Sequence, residues 1–313
     1  VVSGRREDAE VTEKAGGESL GFKIEGAVVT DAGKRRRGNE DNYCLFGHYK
    51  HDTNVDSKTE RRTAAAGRLL AAVYDGMGGE EAGEVASLAA AKSFCPCALE
   101  NVREEAVRQV ADVNGIICAE MQKRGGGRMG TTAVLLYMDG RKAVCCNVGD
   151  SRCYLIRNGA LKLLSVDHSE GENMIRMGIM SEEQARKSKS WHKLTQHLGI
   201  FPEEFMLEPH FSEEIRLQEG DSFLLCSDGL TDMVMDDVLA KLAGGSQEAG
   251  ETAQRLVEEA LKNGGRDNVT ALVLRVKKTE GGILERIIER LKRVPKKAWI
   301  VLFILAAAAV IIA

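Results

Sequence analysis

The sequence predicts an α+β sandwich with helices on its outer faces, on three observations. Strand-like and helix-like stretches follow one another as strands, two helices, strands, two helices and a closing strand. The pairs Asp139-Gly140 and Asn158-Gly159 join consecutive strands through tight hairpin turns, and connections that short make antiparallel neighbours, which argues against a parallel, doubly wound sheet. Hydrophobic residues make up 43% of the 313 positions, enough for a sizeable core.

In chain order, residues 22–30 alternate well enough for a first strand, and 31–41 form a densely charged loop. Residues 42–46 resume as a strand, 48–62 read as a polar loop, and 69–74 are an uninterrupted apolar run that reads as a buried strand. Residues 80–94 and 100–124 are helical. In the second, Val102, Ala106, Val107, Val110, Val113, Ile117 and Met121 keep helical spacing, and Gly125-Gly126-Gly127 ends it. Four strands follow at 131–138, 142–148, 153–157 and 160–165. Residues 166–200 have little strand character and read as a flap, with Ser181-Glu182-Glu183-Gln184 as a helix start. Strands at 208–216 and 222–227, helices at 236–243 and 247–263, and a strand at 268–276 complete the domain.

Composition narrows the function classes. A formal net charge of −4 and 5% aromatic residues give no case for a nucleic-acid partner. The eight cysteines form no CxxC pair, and Cys145, Cys146 and Cys226 lie inside apolar runs, as expected of reduced thiols in the cytoplasm. The domain expected over 21–277 is flanked on both sides. Residues 1–20 are polar and read as a mobile N-terminal arm. Residues 278–297 form a basic amphipathic juxtamembrane segment, and 298–313 an apolar run opened by Trp299. That run extends roughly 24 Å as a helix at ~1.5 Å per residue, short of the about 20 residues of a full span. Its basic collar nonetheless fits a C-terminal transmembrane segment with the 21–277 domain in the cytoplasm, better than a core helix.

Four apolar runs carry an aspartate at one end. Asp75 follows 69–74 and opens Asp75-Gly76-Met77-Gly78-Gly79; Asp150 follows 143–149; Asp228 follows 223–227; and Asp267 precedes 269–274. An Asp-Gly pair is by itself an ordinary turn. In packed sheets, however, four such carboxylates collect at one end and repel one another unless a cation neutralises them. Oxygen donors without His or Cys suit Mg²⁺ or Mn²⁺ rather than zinc.

Five blocks taken in order resemble one family: Arg36-Arg37-Gly38-Asn39-Glu40-Asp41; Asp75-Gly76-Met77-Gly78-Gly79 with Gly83-Glu84; Gly130-Thr131-Thr132; Val148-Gly149-Asp150-Ser151-Arg152; and Ser227-Asp228-Gly229-Leu230-Thr231-Asp232 with Gly265-Arg266-Asp267-Asn268. The chain thereby resembles the metal-dependent Ser/Thr protein phosphatases of type 2C, in particular their bacterial members. The resemblance implies two antiparallel β-sheets flanked by pairs of α-helices. It implies hydrolysis of phosphoserine and phosphothreonine in proteins by a metal-bridged hydroxide attacking phosphorus in line. By matching position, Asp75 bridges two tight Mg or Mn ions and the Gly76 carbonyl binds one of them. Asp228 and Asp267 complete the pair, and Asp150 with Asp228 holds a third, weaker ion. Glu40 and Asp41 act through metal-bound water, Asn268 orients a ligand carboxylate or caps a turn, and Arg36 binds the substrate phosphate. The implied partners are phosphorylated proteins, an opposing Ser/Thr protein kinase and the membrane.

Other readings stay open on residues alone. Glu40 and Asp41 read equally as a surface acidic pair, and Gly130-Thr131-Thr132 as a tight packing point. Arg152 has no assigned partner, and His168, His192 and His197 read as surface or packing residues of the flap. Met77 stands where eukaryotic relatives often carry a histidine, which leaves the general acid unassigned. The alternative function is a catalytically inactive, membrane-anchored scaffold that binds phosphoproteins.

Overall fold

The computed structural model describes residues 22–78, 82–245 and 248–279. Its strands are β1 (Phe22–Asp31), β2 (Asn42–Leu45), β3 (Ser57–Ala65), β4 (Leu69–Tyr74), β5 (Gly76–Gly78), β6 (Met129–Thr131), β7 (Ala133–Asp139), β8 (Lys142–Val148), β9 (Arg152–Arg157), β10 (Ala160–Leu163), β11 (His210–Phe211), β12 (Ile215–Arg216), β13 (Ser222–Cys226) and β14 (Val269–Lys278). Its α-helices are α1 (Gly83–Ser93), α2 (Val102–Lys123), α3 (Glu170–Arg176), α4 (Glu182–Arg186), α5 (Asp228–Thr231), α6 (Asp236–Ala243) and α7 (Ala249–Lys262). One sheet runs β10-β9-β13-β14-β1-β3. The other runs β11-β8-β7-β4-β2, with β12 also on β8, and β5-β6 is a separate ribbon. The pairings are antiparallel.

Period-two alternation builds the layers. On β13, Phe223 and Leu225 point between the sheets, while Leu224 and Cys226 point to the helices. On β4, Ala71 and Val73 point inward, and Leu70, Ala72 and Tyr74 outward. The outer face of the β4 sheet meets α1 and α2, where Ala86 and Ala90 allow close approach, and the outer face of the β13 sheet meets α6 and α7 through Leu239, Leu256, Val257 and Ala260. The result is the expected α+β sandwich with a helix pair on each side. Of the predicted α2 stripe, Val107 departs: it is 45% exposed, while its neighbours Ala106 and Val110 are buried.

Register places the functional strand ends together. In one sheet Cys226 lies opposite both Ala271 and Arg152, and Asp31 opposite Val269. In the other, Asn42 lies opposite Tyr74, Val73 opposite Val134, and Ala133 opposite Val148. The aspartates that follow or precede these residues therefore emerge at the same end of both sheets.

Three element readings need correction. The loop predicted at 48–62 contains most of β3, an edge strand whose Ser-Lys-Thr-Glu-Arg-Arg sequence is largely solvated and so has no apolar alternation to show. The strand predicted at 131–138 breaks at Thr132, its first residue joining the ribbon with β5. The strand predicted at 208–216 is two short bridges onto β8. The arm at 1–20, the juxtamembrane segment beyond 279 and the apolar run at 298–313 lie outside the described residues; among those described, no helix is long and apolar enough to cross a membrane.

Phe223 is fully buried between the sheets. Phe223→Ala is expected to cost about 3–5 kcal/mol of stability, read as a lower denaturant midpoint with an unchanged slope. A midpoint within error of the wild type would exclude the two-sheet packing described.

Candidate metal centre

Arg36, Glu40, Asp75, Gly76, Asp150, Asp228 and Asp267 line one cleft of about 880 Å³ at this end of the sandwich, with Met77, His192, His197 and Asp232 on the same walls. Each carboxylate is set by its backbone. Asp75 sits between β4 and β5, where its N–H donates to Thr132 Oγ1 (3.0 Å) and its carbonyl accepts from Thr131 Oγ1 (2.9 Å) and the Thr132 N–H (2.9 Å). Thr132 Oγ1 also meets Ser151 Oγ at 2.7 Å, tying this turn to the one that carries Asp150. Asp228 opens α5 at the end of β13. Asp267 precedes β14 and accepts the N–H of Asn268 (2.8 Å) on Oδ1 and Arg36 Nη2 (2.6 Å) on Oδ2.

Asp41 stands behind the cleft wall, fully buried. Its Oδ2 accepts from Ser227 Oγ (2.8 Å) and Thr270 Oγ1 (2.6 Å), and Thr270 Oγ1 meets Thr30 Oγ1 at 2.7 Å. Its Oδ1 has no partner among the described residues. A buried carboxylate oxygen without a donor is costly, and a metal-bound water aimed at it would remove the cost. Glycines complete the cradle. A Cβ on Gly76 would lie 2.5 Å from the carbonyl oxygens of Glu40 and Gly83, and one on Gly229 would lie 1.9 Å from the Asn268 carbonyl oxygen. This donor set, all oxygen and crowded, fits Mg²⁺ or Mn²⁺.

Electrostatics agree. Burial, then repulsion from Asp41, Asp228, Asp150 and Asp267, pushes Asp75 well above the ordinary carboxylate range. Burial, then Asp150, Asp232 and Asp267, does the same to Asp228, whose carboxyl also shares a hydrogen bond with Asp75. Burial, then the Asp167 charge, pushes Asp150 up to about 7. Burial also lifts Asp41 to about 6 against its two hydroxyl donors, and Glu40 is raised by burial and then by Glu84.

Two sequence readings resolve differently. Asn268 is a clamp: its side chain donates to the carbonyls of Ala32 (3.0 Å) and Gly38 (2.8 Å) and accepts the Glu40 N–H (2.8 Å), so its amide fixes the Arg36 loop and only its backbone touches Asp267. Arg152 is buried and forks onto Asp167, with Nη2 at 2.6 Å from Oδ2. His168 is neutral at physiological pH, lowered by burial to about 4, and its Nδ1 accepts the Gly149 N–H (3.3 Å) beside Asp150. Sequence reasoning passed over Trp191, read His192 as a surface or packing residue and gave Asp232 no role beyond its place in the Ser227–Asp232 block. The spacing of Asp228 and Asp232, one helical turn apart, is the signal that places both on one face.

The sequence profile of the protein phosphatase 2C family matches residues 47–263. The chain belongs to that family. Among its 2C-type relatives, the serine/threonine phosphatase stp of Listeria welshimeri is 32% identical over 255 residues, covering 78% of this chain and 93% of that protein. The serine/threonine protein phosphatase PstP of Mycobacterium tuberculosis is 32% identical over 228 residues, 70% of this chain and 42% of that protein. A crystal structure of the PstP catalytic domain with two manganese ions superposes with a TM-score of 0.67 at 28% identity, covering 82% of this chain and all of that one. The 2C fold and its metal dependence thus join the carboxylate geometry in this chain.

The raised Asp41 and Asp150 carry a pH consequence. Between the ordinary carboxylate pKa of ~4 and their values of about 6 and about 7, the folded metal-free chain holds protons that the unfolded chain has released. Its stability therefore falls as pH rises through that window. Metal binding requires the deprotonated forms. The increase in melting temperature on adding Mn²⁺ to EDTA-treated protein is expected to be small near pH ~5 and to grow through about 6–7. A metal increment independent of pH in thermal scans would contradict the assignment of these carboxylates.

Proposed function

We propose that this chain hydrolyses phosphoserine and phosphothreonine in proteins at the Asp75 cleft, with two tightly held Mg or Mn ions and a third, weaker one. Serine/threonine protein phosphatase activity is the activity of its 2C-type relatives. The observation that carries the reading is the meeting of Asp75, Asp228 and Asp267 beside Arg36 in one cleft.

Asp75 would bridge the two tight ions, the Gly76 carbonyl would bind one, and Asp228 and Asp267 would complete the pair; Asp150 with Asp228 would take the third. Bound there, the ions would supply Lewis acidity, lowering the pKa of water toward neutrality for in-line attack on phosphorus and offsetting charge on the phosphoryl oxygens. Glu40 and Asp41 Oδ1 would accept from water in this shell. Arg36 is half exposed at the cleft mouth, where its guanidinium can exchange Asp267 for a phosphoryl oxygen. Met77 has no proton to give, so protonation of the leaving Ser or Thr oxygen falls to another group or to water. Membrane anchoring through 298–313, cytoplasmic location of the catalytic domain and an opposing Ser/Thr protein kinase belong to the same proposal. The complete carboxylate set favours hydrolysis over the inactive-scaffold alternative.

Asp75→Asn is expected to abolish turnover of a phosphothreonine peptide with Mn²⁺ while leaving the circular dichroism spectrum intact; a near-normal rate would remove the two-ion mechanism. Arg36→Ala should lower kcat/KM about 10- to 150-fold, the value of a charge-assisted hydrogen bond of ~1.5–3 kcal/mol, with Mn²⁺ affinity retained or tightened because Asp267 loses its counter-charge. Arg35→Ala and Arg37→Ala should each cost much less. Equal losses in all three would show an interchangeable basic patch instead.

A further inference from the structure

We propose that His192 joins Asp228 and Asp232 in a cation site shared between the flap and the core, whose imidazole donor selects an ion that accepts nitrogen, such as Mn²⁺, over Mg²⁺. The inference rests on the reading of the Asp75 cleft as a metal centre, because it shares Asp228 with it. It adds His192 from the flap and Asp232 from the end of α5 to Asp228, a proposed ligand of the third, weaker ion.

The geometry is that of a loose ligand set. His192 Nδ1 lies 3.5 Å from Asp232 Oδ2 and 3.9 Å from Asp228 Oδ2, and one ligand atom from each of the three residues falls within 4.8 Å of the others. Around an ion with bonds of about 2.0–2.2 Å, donors sit roughly 3 Å apart when adjacent and roughly 4.2 Å apart when opposite. Shifts of roughly half to one ångström close the set. The imidazole is 54% exposed, so it has room to make that shift. The remaining positions can go to water.

An independent feature delivers the imidazole there. The preceding Trp191 is buried, and its ring is flanked by the guanidinium groups of Arg186 (4.9 Å) and Arg152 (5.9 Å). Its side chain hydrogen-bonds Asp232, an indole N–H to a carboxylate. Arg152 is itself immobilised on Asp167. On the other side, the Asp232 N–H donates to the Asp228 carbonyl (2.8 Å), which holds the two aspartates one turn apart. Backbone on both sides of the site is therefore held, which leaves the closing shift to the side chains. A hard Mg²⁺ ion prefers an all-oxygen shell, whereas imidazole suits transition ions, so nitrogen at this position shifts the metal preference of the third site and of no other.

The test titrates Mn²⁺ into the metal-stripped full-length protein, following bound ion by electron paramagnetic resonance and nitrogen coordination by electron spin-echo modulation. Wild type is expected to show imidazole ¹⁴N modulation only after the two tight ions are bound. His192→Ala and His192→Gln should both lose it, with the weakest dissociation constant raised at least about tenfold, given that losing even an outer-shell partner costs about 10- to 100-fold. The two tight constants should not change. Absence of ¹⁴N modulation in wild type once the weakest site is saturated with Mn²⁺ would overturn this site and leave the carboxylate centre standing. Modulation surviving in His192→Ala, or an unchanged weakest constant, would overturn it equally. Failure of wild type to bind Mn²⁺ at all would overturn the metal-centre reading itself.

Discussion

Mutual repulsion among carboxylates at one end of the sandwich is the constraint around which this molecule is arranged. Asp75, Asp150 and Asp228 share a half-buried cleft with Asp41 directly behind them, and burial and like charge push each one upward. Such a cluster persists only where surrounding structure over-determines it. Here the restraint is a set of buried hydroxyls. Ser227 and Thr270 hold Asp41, Thr30 meets Thr270, and Asn39 reaches Thr30 at 2.8 Å while accepting the Asp41 N–H. These residues come from β1, β14, the loop before β2 and the end of β13, so the network bolts both sheets together where the charges lie.

The basic side chains near the cluster divide by burial. Lys50 is buried and donates to the Asn39 carbonyl (2.6 Å); burial lowers its pKa, while Asp41 and Asp56 oppose that fall. Arg152 is buried and committed to Asp167. Neither can leave its partner without stranding a buried charge, so both are scaffold. Arg36 and His192 are half exposed, each set against a carboxylate of the cleft. A solvent-exposed polar contact is worth little, so these two side chains can exchange partners at low cost. That division separates groups that shape the site from groups able to respond to what enters it.

Much of the architecture was legible because it rests on periodicity. The apolar runs at 69–74 and 223–227, the helical stripe of α2 and the Asp-Gly and Asn-Gly turns each report a local physical requirement, and the aspartates at the strand ends lie together in one cleft. What escaped reading lacks such a pattern. Charges mask β3 because its side chains are solvated, and the break at Thr132 is invisible because it arises from hydrogen bonds to Asp75, a partner 57 residues away. Val107 fits helical spacing in sequence yet faces solvent, since spacing defines a stripe only to within one position at its edges. Asn268 looked equally like a ligand orienter and a turn cap; its three bonds to the 32–40 loop are decided by tertiary placement. The pairing of His192 with Asp228 and Asp232 brings residues of separate elements together, and no window of sequence contains it.

The stretch Gly130-Thr131-Thr132 shows why the metal ligand and the flap cannot be treated as separate parts. Thr131 and Thr132 fix the Asp75 backbone through three hydrogen bonds, while the Thr131 backbone exchanges N–H to carbonyl bonds with Leu198 at the far end of the flap (3.0 and 2.9 Å). The approach depends on missing side chains. A Cβ on Gly130 would lie 2.6 Å from His197 Nδ1 and from the Leu198 carbonyl, and Gly199, at φ +104°, brings the space of its own Cβ to 2.4 Å from the Met129 carbonyl. Nearer the flap tip, Ser169 bridges Leu194 and the Glu170 N–H meets the Lys193 carbonyl at 2.9 Å. Residues 191–194 are thus held between Trp191 on one side and the Leu198 bridge on the other. A displacement of the Thr131 backbone would move Asp75 and the base of the flap together, so the carboxylate at the centre of the cleft and the imidazole at its edge share one mechanical reference.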